Sequence, residues 1–82
     1  MNTPYTRAHI RLNSQNDVIA LIQELNKISD TFVLENASGT RRVDAKSVIG
    51  VMYTMLDYND QTYLVNDDTD GVFPAVIDQF RV

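Results

Sequence analysis

The spacing of apolar residues changes along this chain, and that change restricts it to a fold that mixes helices and strands. Residues 7–12 alternate apolar and polar side chains, which is typical of a strand with one buried face. Residues 17–28 instead place apolar side chains at the i, i+3, i+4 and i+7 positions of a helix. That helical stripe consists of Val18, Leu21, Ile22, Leu25 and Ile28.

Two further strands are predicted in the middle of the chain. Residues 31–36 and 40–44 are joined by a short loop that contains Gly39, and such a loop between two apolar runs indicates a hairpin. Alternation along the two strands then separates an inward face from an outward one. The side chains expected to face inward are Phe32, Leu34 and Val43.

The last third of the chain predicts a helix, a strand and a second helix. Residues 46–56 form a short apolar helix, and residues 61–66 alternate as a strand. The apolar positions within 72–80 predict a last amphipathic helix. Pro74 is expected in its first turn, where the missing N–H of proline costs nothing. The predicted order of elements is therefore βαββαβα.

One domain covering residues 1–82 accommodates this order. The chain has no cysteine, so its 44% apolar residues must build the core without disulfides. A four-stranded antiparallel sheet with three helices on one face buries each apolar stripe once, which makes the fold class α+β. The ferredoxin-like fold shares the order βαββαβ and is the main alternative.

The charge of the chain argues against two classes of partner. A net charge of −4 repels nucleic acid and anionic membranes on average, so neither is expected. No run approaches the roughly 20 apolar residues of a membrane span. Residues 1–6 contain no apolar stretch of signal-peptide length, and the lack of cysteine suits a reducing compartment. The expected location is the cytoplasm.

A seven-residue run at the start of the second predicted helix resembles a known family. Residues 46–52 read Lys-Ser-Val-Ile-Gly-Val-Met. They resemble the segment around the regulatory serine of the HPr phosphocarriers of low-GC Gram-positive bacteria, which typically reads Lys-Ser-Ile-Met-Gly-Val-Met. The similarity continues without a gap to about residue 66, and upstream it requires a two-residue insertion near 37–38. It implies the open-faced β-sandwich of HPr proteins, in the order βαββαβα.

The other motif of the HPr family is absent. In HPr proteins the sequence Gly-Leu-His-Ala-Arg-Pro-Ala leads into the first helix and carries the phosphorylated histidine. Alignment through that helix puts Ser14 at the histidine, Asn16 at the arginine and Asp17 at the proline. His9, the single histidine, falls too early, within the first predicted strand.

The substitutions remove the chemistry of a phosphocarrier. Phosphorylated imidazole can pass its phosphoryl group onward, whereas a serine phosphate at Ser14 would be a stable ester. The carboxylate of Asp17 would also repel phosphate at the positive end of the helix. We therefore expect no histidine phosphotransfer and no enzymatic activity, with Ser14 and Asp17 acting as helix caps.

The resemblance implies a regulatory site in the second helix. It identifies Ser47 as the regulatory phosphosite, with Lys46 as a neighbouring positive charge. In HPr proteins the residues just after this serine contact partner proteins, and the matching residues are Val48, Ile49 and Met52. Lys46, directly before the serine, is the fourth residue expected to bind partners. The implied partners are an HPr kinase and a catabolite-repressor-type regulator. A helix cap alone is the simpler interpretation of Ser47.

The apolar character of the second predicted helix supports either of two interpretations. Ile49, Met52, Tyr53 and Leu56 share one face, whereas Val48, Val51 and Met55 lie on another. A helix that is apolar on both faces is either buried or presents one face to a partner. Plain core packing is the alternative to partner binding.

The sequence allows three alternatives to a regulatory HPr-like protein. An orthodox phosphocarrier would need a histidine near position 14, and an HPr fold recruited to an unrelated binding role would use neither serine. A ferredoxin-like RNA-binding domain would need stacking aromatics in the third strand, where residues 40–44 read Thr-Arg-Arg-Val-Asp. Asp67, Asp68 and Asp70 lack the spacing of a calcium loop, so no metal site and no cofactor are expected.

Overall fold

The computed structural model describes residues 7–58, 61–69 and 72–82, and the predicted order βαββαβα is confirmed there. Residues 1–6, Asp60 at the expected turn after the second helix, and Asp70 lie outside the described residues. The strands are β1 (Ala8–Ile10), β2 (Phe32–Glu35), β3 (Arg42–Asp44) and β4 (Thr62–Asn66). The helices are α1 (Gln15–Leu25), α2 (Val48–Asp57) and a 3₁₀ helix (Ala75–Phe80).

The order of strands across the sheet decides between the two candidate folds. The four strands are arranged β1-β4-β2-β3, and every neighbouring pair is antiparallel. Strand β4 therefore lies between β1 and β2, where a ferredoxin-like fold would place β3. The central register aligns Leu34 with Leu64 on one side and with Val43 on the other. The predicted α+β open-faced sandwich of the HPr type is confirmed.

All three helices pack on the same face of the sheet. Alternation along the strands puts one set of side chains on the helical face, including the buried Ile10, Phe32 and Leu34. These join a single core cluster with residues from each helix. The helical contributions are Val18, Leu21, Ile22 and Leu25 from α1, Val51 from α2, and Ile77 and Phe80 from the 3₁₀ helix. Val43, the third predicted inward residue, is partly buried against this core.

The last helix differs from its prediction in type and in its first residue. It is a 3₁₀ helix that begins at Ala75, and Pro74 precedes it as the N-cap in an extended conformation. The placement of Pro74 within the first turn was therefore wrong. The 3₁₀ form brings residues three apart onto one side, so Ile77 and Phe80 both reach the core.

The residues after this helix extend the sheet beyond β1. The backbone N–H of Val82 donates to the carbonyl of His9 at 3.0 Å, and that of Arg11 donates to the carbonyl of Phe80 at 2.8 Å. Ile10 and Arg81 form an antiparallel bridge. The outer edge of β1 is thus hydrogen-bonded.

The face of the sheet opposite the helices carries a buried carboxylate. Glu35 is only 3% exposed. Its Oε2 lies 2.9 Å from Nε of Arg42, and its Oε1 lies 3.4 Å from Nη1 of Arg7. Arg7 also covers the ring of Tyr63, with the guanidinium carbon 4.1 Å from the ring centroid. Two arginines therefore cover the middle of this face and balance the charge of Glu35.

In the described part of the chain, no helix has both the length and the apolar character required to cross a membrane.

Candidate functional site

The start of α1 is closed by a reciprocal pair of hydrogen bonds. The hydroxyl oxygen of Ser14 accepts from the backbone N–H of Asp17 at 3.2 Å. The carboxylate of Asp17 accepts from the backbone N–H of Asn13 at 2.8 Å. The predicted capping role of Ser14 and Asp17 is thereby confirmed. A carboxylate already occupies the helix end that would bind an anion.

His9 belongs to the other side of the sheet. Its neighbours in β1, Ala8 and Ile10, are both buried in the core, so alternation puts His9 on the face away from the helices. There its ring stacks on Tyr63 with centroids 4.7 Å apart. Because Ser14 caps a helix on the opposite face, His9 and Ser14 lie on different sides of the sheet.

Ser47 caps α2 in the same manner as Ser14 caps α1. Its backbone is extended, and its hydroxyl oxygen accepts from the backbone N–H of Gly50 at 3.2 Å. The side chain is half-buried. The first N–H groups of a helix have no partners inside the helix, so the hydroxyl lies among donors suited to an anion. Capping of α2 by Ser47 is confirmed, and phosphorylation of Ser47 stays a prediction.

The side chain of Lys46 is already bonded within the fold. Its Nζ donates to the carbonyl oxygen of Ile28 at 2.6 Å and lies 5.9 Å from the centroid of the Phe32 ring. Its backbone N–H donates to Asp44. This lysine therefore ties the start of α2 to the chain that follows α1. Its ammonium group donates to the Ile28 carbonyl. The sequence had predicted that this group would serve as a counter-charge for a phosphate on Ser47.

Packing divides α2 into a buried side and an exposed side. Val51 and Thr54 are buried, and the Thr54 hydroxyl donates to the carbonyl of Val51 at 2.7 Å. On the opposite side Ile49 is 82% exposed and Leu56 is 85% exposed. Together with three less exposed neighbours they form the exposed α2 face, which consists of Val48, Ile49, Met52, Tyr53 and Leu56.

The exposed α2 face contains the predicted contact residues and two that were missed. Val48, Ile49 and Met52 lie on it, whereas Lys46 lies outside it. Tyr53 and Leu56 were not among the predicted contact residues. Their positions four and seven residues after Ile49 were the available signal, because such residues share one side of a helix.

One edge of the exposed α2 face is held by an ion pair. Arg41, from the β2–β3 hairpin, donates to the carboxylate of Asp57 and to the hydroxyl of Tyr53. The Tyr53 hydroxyl in turn donates to Asp57 at 3.1 Å. The Asp57 carboxylate raises the pKa of Arg41 above its ordinary value. The Tyr53 ring is therefore held in place although it is exposed.

The exposed α2 face is apolar and open to solvent. Ile49, Met52, Tyr53, Met55 and Leu56 line an open depression of about 470 Å³. Within the described ranges, no three His, Asp or Glu side chains come together as a metal site.

In comparisons with known proteins, no family model, curated protein or solved structure matches this chain.

Proposed function

We propose that this chain is an HPr-like regulatory or partner-binding protein related to the phosphoenolpyruvate-dependent sugar phosphotransferase system, and that it acts in the cytoplasm without histidine phosphotransfer. One observation carries the proposal. An apolar, solvent-exposed helix face begins directly after Ser47, and Val48–Leu56 contains no ionisable side chain other than the tyrosine. Contiguous exposed apolar surfaces mark contact sites for proteins, membranes or ligands, and the net charge of −4 argues against an anionic membrane.

The start of α1 supports the absence of phosphotransfer. A relay requires a nucleophile whose phosphorylated form stays reactive, and Ser14 would give a stable ester. Asp17 also holds its carboxylate at the end of the helix where the incoming phosphate would bind. These features support the part of the proposal that excludes a phosphocarrier.

Ser47 is the proposed control point of partner binding. A phosphate there adds a charge of about −1.5 to −2 directly beside Val48 and Ile49. The free N–H groups and the positive end of α2 stabilise that charge, so the helix remains folded. Partners that need a dry apolar surface lose affinity, and a catabolite-repressor-type regulator that offers arginine or lysine gains affinity.

Treatment with an HPr kinase and ATP tests this control point. We expect the intact mass of the wild type to increase by one phosphate and that of Ser47→Ala to stay unchanged. An authentic HPr in the same reaction shows that the kinase is active. If that HPr is labelled and this protein is not, Ser47 is only a helix cap and the fold serves an unrelated binding role.

Treatment with phosphoenolpyruvate and the general phosphotransferase enzyme tests the loss of phosphotransfer. We expect this protein to stay unlabelled while an authentic HPr in the same tube acquires acid-labile phosphate. His9 stacks on Tyr63 on the face of the sheet away from the helices. An acid-labile phosphohistidine at His9 would overturn the proposal.

A further inference from the structure

The exposed α2 face has the spacing of a helix that packs against another helix. Ile49, Met52, Tyr53 and Leu56 occupy positions i, i+3, i+4 and i+7, which form one continuous apolar seam. We propose that two copies of this chain associate reversibly through this seam, with their α2 helices antiparallel about a two-fold axis. This inference does not rest on the proposed function.

The positions of the two most exposed residues favour an antiparallel pair. Ile49 and Leu56 lie at the two ends of the seam, and the midpoint between them falls between Met52 and Tyr53. A two-fold axis at that midpoint sets Ile49 of one copy against Leu56 of the other. Each end residue, left exposed in a single chain, then gains an apolar partner.

The charges around the seam permit contact between identical faces. Asp57 is paired with Arg41 at one end, and the ammonium of Lys46 is bonded to Ile28 at the other. Antiparallel packing also sets the positive start of each α2 beside the negative end of its partner. The remaining repulsion comes from the net charge of −4 on each copy, and salt screens it. Association therefore strengthens as salt is added, whereas binding to a basic partner weakens.

The available area sets the strength of the association. The five side chains of the exposed α2 face present on the order of 500 Å² in one copy. Complete burial of two such faces would remove about 1,000 Å² in total, which is the upper limit for this pair and the low end for specific complexes. The pair is therefore a weak, reversible dimer and not an obligate one. It also covers Val48, Ile49 and Met52, so the dimer and any partner at that surface exclude each other.

Sedimentation equilibrium of the full chain, from micromolar to millimolar concentration, tests the association. We expect the weight-average mass to rise from one chain toward two, and to rise further with added salt. Leu56→Lys should weaken association at least about tenfold, because it puts a charge into the seam. Gln23→Lys adds the same charge on exposed α1 surface and should change association less than about twofold. A wild type that stays at the mass of one chain throughout overturns the proposal.

Cross-linking tests the orientation, since the chain contains no cysteine of its own. Ile49→Cys and Leu56→Cys proteins are mixed and mildly oxidised, with Gln23→Cys as the background control. The antiparallel pair predicts disulfides mainly between the two different variants. Like residues would lie about 10 Å apart along the axis, beyond the Cα separation of about 4.4–6.8 Å that a disulfide allows. An excess of links between identical variants, or none above the control, overturns the antiparallel pair.

Discussion

The hydroxyl oxygen of Ser14 lies 3.2 Å from the backbone nitrogen of Asp17 and accepts its hydrogen bond. The resemblance to HPr proteins puts Ser14 where those proteins carry the phosphorylated histidine, whereas in this fold Ser14 caps a helix. It satisfies one of the unpaired N–H groups at the start of α1. The residue thus stabilises the helix that supplies Val18, Leu21 and Leu25 to the core.

Removing the Ser14 hydroxyl should destabilise the fold. Ser14→Ala leaves an N–H group of α1 without its cap, and we expect the free energy of unfolding to fall by about 1 kcal/mol. Ser14→Asp supplies another good cap and should retain most of the stability. Urea denaturation measures both. Equal losses in the two variants would show that the loss does not come from the missing capping oxygen.

Substitutions at Ser47 should separate capping from phosphorylation. Ser47→Ala loses the bond from the Gly50 N–H and should lower the free energy of unfolding by about 1 kcal/mol, whereas Ser47→Asp keeps a capping oxygen. Both variants should lose kinase labelling. Binding to the regulator should appear only with phosphorylated wild type, because aspartate carries less charge and fewer acceptor oxygens. Regulator binding by unphosphorylated wild type would contradict this.

The buried carboxylate of Glu35 should matter more than a carboxylate at the surface. Glu35→Gln leaves Arg7 and Arg42 without their shared negative charge, and we expect a loss of about 1–3 kcal/mol in the free energy of unfolding. Glu24→Gln removes the exposed pair with Lys27 and should cost less than about 0.5 kcal/mol. Thermal and urea unfolding of the two matched variants gives the comparison. A loss of similar size in both would refute the structural role of Glu35.

The hydroxyl of Tyr58 is buried without a hydrogen-bond partner among the described residues. Leaving such a group unbonded costs about 1–3 kcal/mol. Tyr58→Phe keeps the ring that packs edge-on against Tyr53 and should raise the free energy of unfolding by about 1 kcal/mol or more. A fall in stability would show that the hydroxyl is bonded in solution.

The same substitution should change how stability depends on alkaline pH. Burial raises the pKa of Tyr58 above its ordinary value of 10.0. The unfolded chain therefore loses this proton first as pH rises past about 10, and the folded state becomes less stable. Below that pH both states keep the proton and the effect vanishes. Unfolding measured from about pH 8 to pH 11 should show a growing advantage for Tyr58→Phe, and a constant difference would contradict the raised pKa.

Local spacing was sufficient for the order of the elements but not for their arrangement. The stripe from Val18 to Leu25 predicted α1 because a helix shows its buried side in its own sequence. The position of β4 between β1 and β2 depends on contacts between residues far apart in the chain, such as Leu34 and Leu64. Neither the ion pairs of Glu35 nor the bond from Lys46 to Ile28 has a local signal, since each joins residues brought together by folding.

The exposed α2 face also combines features that local spacing predicts with one that depends on tertiary packing. The sequence by itself determined that Ile49, Met52, Tyr53 and Leu56 share one side of the helix and that Ser47 begins it. Only the tertiary structure decided that this side meets solvent, because apolar residues lie on both sides and spacing does not rank them. The side of α2 that carries Val51 and Thr54 packs against the core. The other side stays exposed, because a domain of 82 residues can bury only one face of an outer helix.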